Sequence, residues 1–232
     1  MKKLIFAAAV AAAGIASAEL ASANVVGYKK ASTEKAGFRL FTPMFQSVGA
    51  TTYDIQDLIP SGTYVDGQIN LQTLDADGNG GDIALAWWGD GWYDSNDNTP
   101  SVPLNKGDAV WLYSPDDAVT LECAGEVSSA PVLSDTVAGF SAIGNPYPVS
   151  YDIQDLIPLT AEGDPCSYVD GQINLQTLDA DGNGGDVALA WWGDGWYDSN
   201  DNTPSVMLAP GEAVWLYSPD ATLKIKWQGF SL

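Results

Sequence analysis

The chain contains no histidine. That absence removes Ser-His-Asp and Cys-His arrangements and every histidine-ligated metal site. Basic side chains are nearly as scarce: nine lysines and arginines stand against 30 aspartates and glutamates, and between Leu40 and Leu223 only Lys106 is basic. The net charge of -21 repels nucleic-acid phosphates and anionic lipid, so neither is an expected partner. Two cysteines occur, Cys123 and Cys166; once paired, they leave no thiol nucleophile. No glycine-rich loop opens a helix to cradle nucleotide phosphates. Beyond Ile15 no stretch is apolar enough for a transmembrane helix, so membrane insertion is not expected. Carboxylate pairs suited to glycoside hydrolysis are the one catalytic device left, and sequence does not measure their separation. The inventory argues against an enzyme.

What the chain does have is a repeat. Tyr64 to Val102 recurs from Tyr168 to Val206 with a single change, Ile83 against Val187, and a second shared block runs from Tyr53 to Pro60 and from Tyr151 to Pro158. One module is therefore written twice. Copy one is assigned to 24–127, a small and polar linker containing Pro131 to 128–136, and copy two to 137–232. Residues 1–23 read as a secretory signal peptide: Lys2 and Lys3, an apolar run from Leu4 to Ile15, then small residues. Ala-Ser-Ala sites end at Ala18 and Ala23, and the second is preferred because Asn24 begins the first β-like run. No cysteine follows either site, which argues against a lipid anchor. The expected location is secreted, extracellular or at the cell surface.

Short runs of Val, Ile, Trp and Tyr between Gly, Asn, Asp and Pro clusters predict an all-β fold of two tandem β-sandwich or barrel-like modules. Tyr53 to Ile59 and Tyr151 to Ile157 are expected to form one short helical turn in each. The last strand of each copy alternates with a period of two: Leu223, Ile225 and Trp227 against Lys224 and Lys226, and Val119, Leu121 and Cys123 against Thr120 and Glu122. Cys123 therefore points inward. Neither cysteine belongs to the shared module, since Trp227 stands at the position of Cys123 and Cys166 lies in a connector that copy one lacks. In an exported chain this suggests a Cys123–Cys166 disulfide joining the copies. Ala84 to Asp94 reads as a hairpin turning on Asp90-Gly91, with Gly89 opposite Trp92 and Trp88 opposite Tyr93. Leu85, Trp87 and Trp92 then share one face, and Ala84, Ala86, Trp88 and Tyr93 the other.

The Asn-Val-Val-Gly-Tyr run at Asn24 to Tyr28, the Ile-Gly-Asn-Pro turn within Gly139 to Pro148 and the Pro-Gly-x-x-hydrophobic strand at Pro210 to Trp215 resemble exported β-repeat proteins of the Verrucomicrobia, Lentisphaerae and related bacteria. The resemblance implies secretion and a β-rich fold, and it brings no activity.

Two ligand chemistries are suggested by the residues. LDADGNGGD carries Asp75, Asp77, Asn79 and Asp82 in copy one and Asp179, Asp181, Asn183 and Asp186 in copy two. Alternate oxygen side chains before a glycine look like the first half of a calcium loop. The twelfth position would be Ala86 or Ala190, so a full EF-hand is excluded, and further oxygens would have to come from Asp94 or Asp97. The alternative is a polar turn joining two strands. The Trp-rich hairpins, with Trp88, Tyr93, Trp192 and Tyr197, allow a bivalent carbohydrate platform. Against that, a small β domain needs large aromatics for its core. The sequence reading is an exported, non-enzymatic structural or interaction protein of the cell surface or matrix, with a protein or glycan partner and calcium as its one possible cofactor; the alternative is a bivalent carbohydrate-binding protein.

Overall fold

The computed structural model describes residues 25–32, 37–61, 69–74, 80–114, 118–166, 173–178, 184–219 and 222–230. The signal-peptide assignment lies outside them. Copy one contains β1 (Val25–Ser32), β2 (Gly37–Phe41), β3 (Tyr53–Asp54), β4 (Ile59–Ser61), β5 (Asn70–Leu74), β6 (Gly80–Trp87), β7 (Trp92–Tyr93), β8 (Pro103–Leu104), β9 (Val110–Ser114) and β10 (Thr120–Val127). Copy two contains β11 (Val132–Asp135), β12 (Gly139–Gly144), β13 (Tyr151–Asp152), β14 (Ile157–Leu159), β15 (Asn174–Leu178), β16 (Gly184–Trp191), β17 (Trp196–Tyr197), β18 (Met207–Leu208), β19 (Ala213–Ser218) and β20 (Lys224–Trp227). The all-β expectation holds. Helical structure among the described residues is confined to two 3-10 turns, Ile55–Asp57 and Ile153–Asp155. Both sit where a short turn is expected, each opened by an aspartate whose carboxylate accepts the backbone N–H two residues on.

Each copy builds a five-stranded antiparallel sheet, β2-β9-β5-β6-β7 or β12-β19-β15-β16-β17, and a three-stranded one, β1-β10-β4 or β11-β20-β14. Strand alternation decides the faces. From the first sheet Leu71, Leu85, Trp87, Trp92, Val110 and Leu112 point inward, and from the second Leu121 and Cys123 meet them, all buried. Copy two repeats this core with Leu175, Leu189, Trp191, Trp196, Val214, Leu216, Ile225 and Trp227. A third sheet, the short pair β3-β8 or β13-β18, adds Tyr53 and Leu104 or Tyr151 and Leu208, so each module is three small antiparallel sheets set around one apolar core.

Three sequence expectations are corrected. First, 128–136 is more than a linker, because Val132–Asp135 is the strand β11, with Val132 opposite Trp227 and Ser134 opposite Ile225. It covers the same edge of β20 that β1 covers on β10. Buried Ser134 is placed there by chemistry: its Oγ accepts the Trp227 indole N–H at 2.9 Å, a partner the larger ring requires once desolvated.

Second, the hairpin turns one residue early. Trp87 pairs with Trp92 and Ala86 with Tyr93, the Trp88 N–H donates to the Gly91 carbonyl at 3.1 Å, and Gly89 holds φ 96°. A positive φ at the first central residue is the requirement of a II′-type turn, which Gly89-Asp90 meets and Asp90-Gly91 does not. The partner of Trp92 moves by two residues, from Gly89 to Trp87, so its face is unchanged.

Third, Cys123 and Cys166 are not joined. Both are free and buried, Cys123 in the core of copy one and Cys166 in that of copy two. Burial pushes the Cys123 thiol up to about 12 and raises that of Cys166, so neither forms thiolate readily. At pH 8 a thiol reagent should modify almost nothing in the native protein and two groups after denaturation; rapid native labelling would contradict these positions.

The copies meet along a seam with local twofold symmetry. The Thr42 N–H donates to the Gly211 carbonyl at 3.1 Å, and the Gly144 N–H donates to the Gly107 carbonyl at 2.9 Å. Phe41 bridges to Glu212 and Asp108 to Ile143. Gly107 and Gly211, like Asp108 and Glu212, occupy corresponding repeat positions, so each contact is the image of the other, as in an isologous dimer. Gly107 is fixed there twice over: its φ is 85°, and a Cβ would lie 2.0 Å from Ser134 Oγ. Gly107→Ala is expected to cost about 1–3 kcal/mol through strain and overpacking, read as a lower denaturant midpoint. An unchanged midpoint would mean the seam carries no stability.

Candidate functional site

The strands that bury Val110 and Leu112 must send Trp111 and Tyr113 the other way. β2 adds Phe38, which lies opposite Tyr113. The copy-two residues Trp215, Tyr217 and Phe140 are arranged identically. On the outer face of the two five-stranded sheets these six rings form one continuous ladder. Tyr113 and Phe38 are 4.5 Å apart between ring centroids, and Phe38 and Trp111 5.8 Å. Trp111 then meets Trp215 across the seam at 5.7 Å. Beyond it Trp215 and Phe140 are 5.8 Å apart, and Phe140 and Tyr217 4.8 Å. Phe38 is 43% exposed and Phe140 41%; the other four are half-buried.

Beside the ladder lies a row of amides. Asn70 is opposite Tyr113 and Gln72 opposite Trp111; Asn174 and Gln176 hold the same places against Tyr217 and Trp215. Past the amides come Ala86 and Ala84 of β6, and then Tyr93 at the edge, opposite Ala86. The cross-section is therefore an aromatic wall, a low floor of amide and alanine, and a tyrosine rim. Every one of these outward positions is uncharged, on a chain of net charge -21. Ring planes at the three tryptophan contacts are steeply inclined, 78° for Phe38 and Trp111, 70° for Trp111 and Trp215 and 76° for Phe140 and Trp215, while the outer pairs, Phe38 with Tyr113 and Phe140 with Tyr217, are tilted by 36° and 47°. Such edge-to-face and tilted packing is favourable in itself.

The platform residues expected from the sequence are only partly reunited. Tyr93 and Tyr197 are the rim residues, each hydroxyl donating to its neighbouring carboxylate, Asp90 or Asp194, at 3.2 Å. Those carboxylates push both phenols above their ordinary pKa. Trp88 and Trp192 stand at the hairpin tips, 51% and 40% exposed. The main aromatic surface is elsewhere, on Phe38, Trp111, Tyr113, Phe140, Trp215 and Tyr217. Its sequence signal is the segment Ala109 to Pro115, repeated at Ala213 to Pro219, in which aromatics occupy the positions alternate to the aliphatic ones.

For the calcium reading, Asp75, Asp77, Asn79, Asp179, Asp181 and Asn183 lie outside the described residues. Asp82 and Asp186 fall on strands β6 and β16, and the segment joins strands paired at Leu74 with Gly80 and at Leu178 with Gly184. Asp94 organises the turn that follows it. Its Oδ1 accepts the backbone N–H groups of Asn96 and Asn98 at 2.8 and 2.9 Å, which holds its carboxyl below the usual range. Asp198 does the same for Asn200 and Asn202.

A cleft of about 430 Å³ beside the seam is lined in part by Asp108 and Asp135. Burial raises the Asp108 carboxyl, and hydrogen bonds from Asn105 oppose the rise. Its Oδ2 accepts both the backbone and side-chain N–H groups of Asn105 at 2.9 Å. That is the work of a turn-forming carboxylate rather than of a free acid or base.

No protein-family model, curated protein or solved structure matches the chain, so function must be read from the chemistry of this surface.

Proposed function

We propose that the protein is an exported, non-enzymatic interaction protein that holds neutral glycan at a cell surface or in the surrounding matrix, through the outer face of its paired five-stranded sheets. The observation that carries this reading is the six-ring ladder from Tyr113 to Tyr217 with its row of amides. Sugar rings carry apolar C–H faces and a hydroxyl periphery, so they need both: aromatic faces to stack on and amides that donate and accept. An exposed aromatic patch on a folded chain also needs a reason to persist, and ligand contact is one. Charge narrows the class. A negatively charged chain disfavours acidic polysaccharide, nucleic acid and anionic lipid, and the ladder and amide positions carry no charge of their own. Among polysaccharides a neutral one suits such a surface.

The test is retention in affinity gels containing neutral β-glucans, xylan or mannan, against an acidic polysaccharide as control. Wild type should be retarded by at least one neutral polymer, and Trp111→Ala/Trp215→Ala should migrate freely while melting cooperatively. Equal migration of both proteins in every neutral gel would rule the reading out.

A further inference from the structure

We infer that the two copies form one glycan site rather than two, a continuous aromatic track with amides beside each half, which takes an extended, equatorially β-linked chain in either direction; this rests on the glycan-binding reading above. Continuity follows from the seam. Trp111 and Trp215 are repeat equivalents whose rings touch at 5.7 Å, so the ladder has no gap at which one site could end and another begin. Paired backbone hydrogen bonds, Thr42 to Gly211 and Gly144 to Gly107, fix the two sheets beside that contact. Two independent platforms joined by a flexible linker would have needed neither feature.

Direction follows from the symmetry. A polysaccharide has unlike ends, whereas the halves of this track are related by a local twofold axis. A chain running from Tyr113 to Tyr217 meets the second set of amides in the orientation opposite to the first. Hydrogen bonds tuned to one chain direction in copy one would therefore be mismatched in copy two. Stacking survives reversal, because the C–H face of a pyranose is apolar from either direction. The ladder, which is the element shared across the axis, is the part that suits such a ligand.

Shape follows from the strands. Trp111 and Tyr113 are two residues apart on one extended strand, as are Trp215 and Tyr217. The wall is therefore straight on the scale of a few sugars, about 7 Å for each strand repeat. An extended ribbon with equatorial linkages lies along such a wall; a coiled α-linked glucan curves away from it.

Calorimetric titration with a β-linked oligosaccharide series from the polymer that retards the protein, from two to eight units, tests this. One chain should bind per protein molecule. Affinity should climb at least 30-fold between the trimer and the longest oligomers, and reduction of the end sugar to its alditol should leave the longest oligomer's affinity within twofold. Trp111→Ala and Trp215→Ala should each bring the longest oligomer down to near trimer affinity, as should the more exposed Phe38→Ala and Phe140→Ala to a smaller degree. Melting curves establish that each variant is folded. Two equal sites per chain with affinity independent of length would overturn the single track while leaving glycan binding intact. A strong dependence on the reducing end would overturn the direction argument. Absence of binding to every oligomer and to the parent polymer would overturn both this inference and the reading beneath it.

Discussion

Trp92→Ala is expected to lower stability by about 3–5 kcal/mol, the usual cost of removing a large buried aromatic. Trp92 is fully buried and packs against Trp87 with ring centroids 5.4 Å apart. Its indole N–H donates to the Leu58 carbonyl at 2.7 Å, so truncation also strands a buried acceptor, at a cost of about 1–3 kcal/mol if water cannot reach it. The backbone of the same residue is held by Gln56, which accepts from the Trp92 N–H at 3.0 Å and donates to its carbonyl at 2.7 Å. The 3-10 turn, the hairpin and the core therefore meet at one side chain. Against a total of about 5–15 kcal/mol for a domain, the loss should leave copy one barely folded. Trp196→Ala should match it, since Gln154 and the Leu156 carbonyl repeat every contact. Trp88→Ala, at a half-exposed tip, should stay within about 0.5 kcal/mol of wild type. Urea unfolding of the three variants checks the ordering. A loss below about 1 kcal/mol for Trp92→Ala would show that the hairpin tryptophans are not what holds the sheets together.

Trp111→Ala/Trp215→Ala should produce the reverse pattern, a large loss of binding with little loss of stability. Each tryptophan lies on the solvent side of its sheet, and an outward cross-strand aromatic contributes roughly 0.2–1 kcal/mol to folding. At the centre of a binding surface an aromatic anchor is worth about 2 kcal/mol or more, which is about 30-fold in affinity. The two touch each other across the seam, so their losses should not simply add. Removing one already leaves its partner with half a neighbour. A double variant that binds as well as wild type would move the ligand off the ladder, to the hairpin tips at Trp88 and Trp192 or to another face of the protein.

The sequence carried more of the core than of the surface. Period-two alternation is enough to send Leu223, Ile225 and Trp227 inward and Lys224 and Lys226 outward, and the structure follows it. The turn at Ile55–Asp57 was legible because Pro60 closes the segment that holds it, and Asp54 caps its start. Hairpin register was not, because Asp90-Gly91 and Gly89-Asp90 are both acceptable turns. Which one forms is decided by the pairing of Trp87 with Trp92 in the core. β11 was missed since a serine at a core position reads as polar linker until the indole that needs it is known. The cysteine pairing failed for a related reason: absence from the repeat places neither thiol in space, and each lies in its own core. The aromatic ladder depends on Trp111 meeting Trp215 more than a hundred residues away in the chain, a contact created by the seam. Local pattern could show that Val110 to Tyr113 is apolar on both faces. Only the docking of the copies shows what the second face builds.

The binding face can be seen outright in a crystal structure of the protein soaked with a β-linked hexasaccharide. A single chain of sugar density should lie along the outer face, its rings against Trp111 and Trp215, crossing the seam and flanked by Asn70, Gln72, Asn174 and Gln176. Density confined to the tips at Trp88 and Trp192, or to the cleft beside Asp108, with the ladder left bare, would contradict that placement.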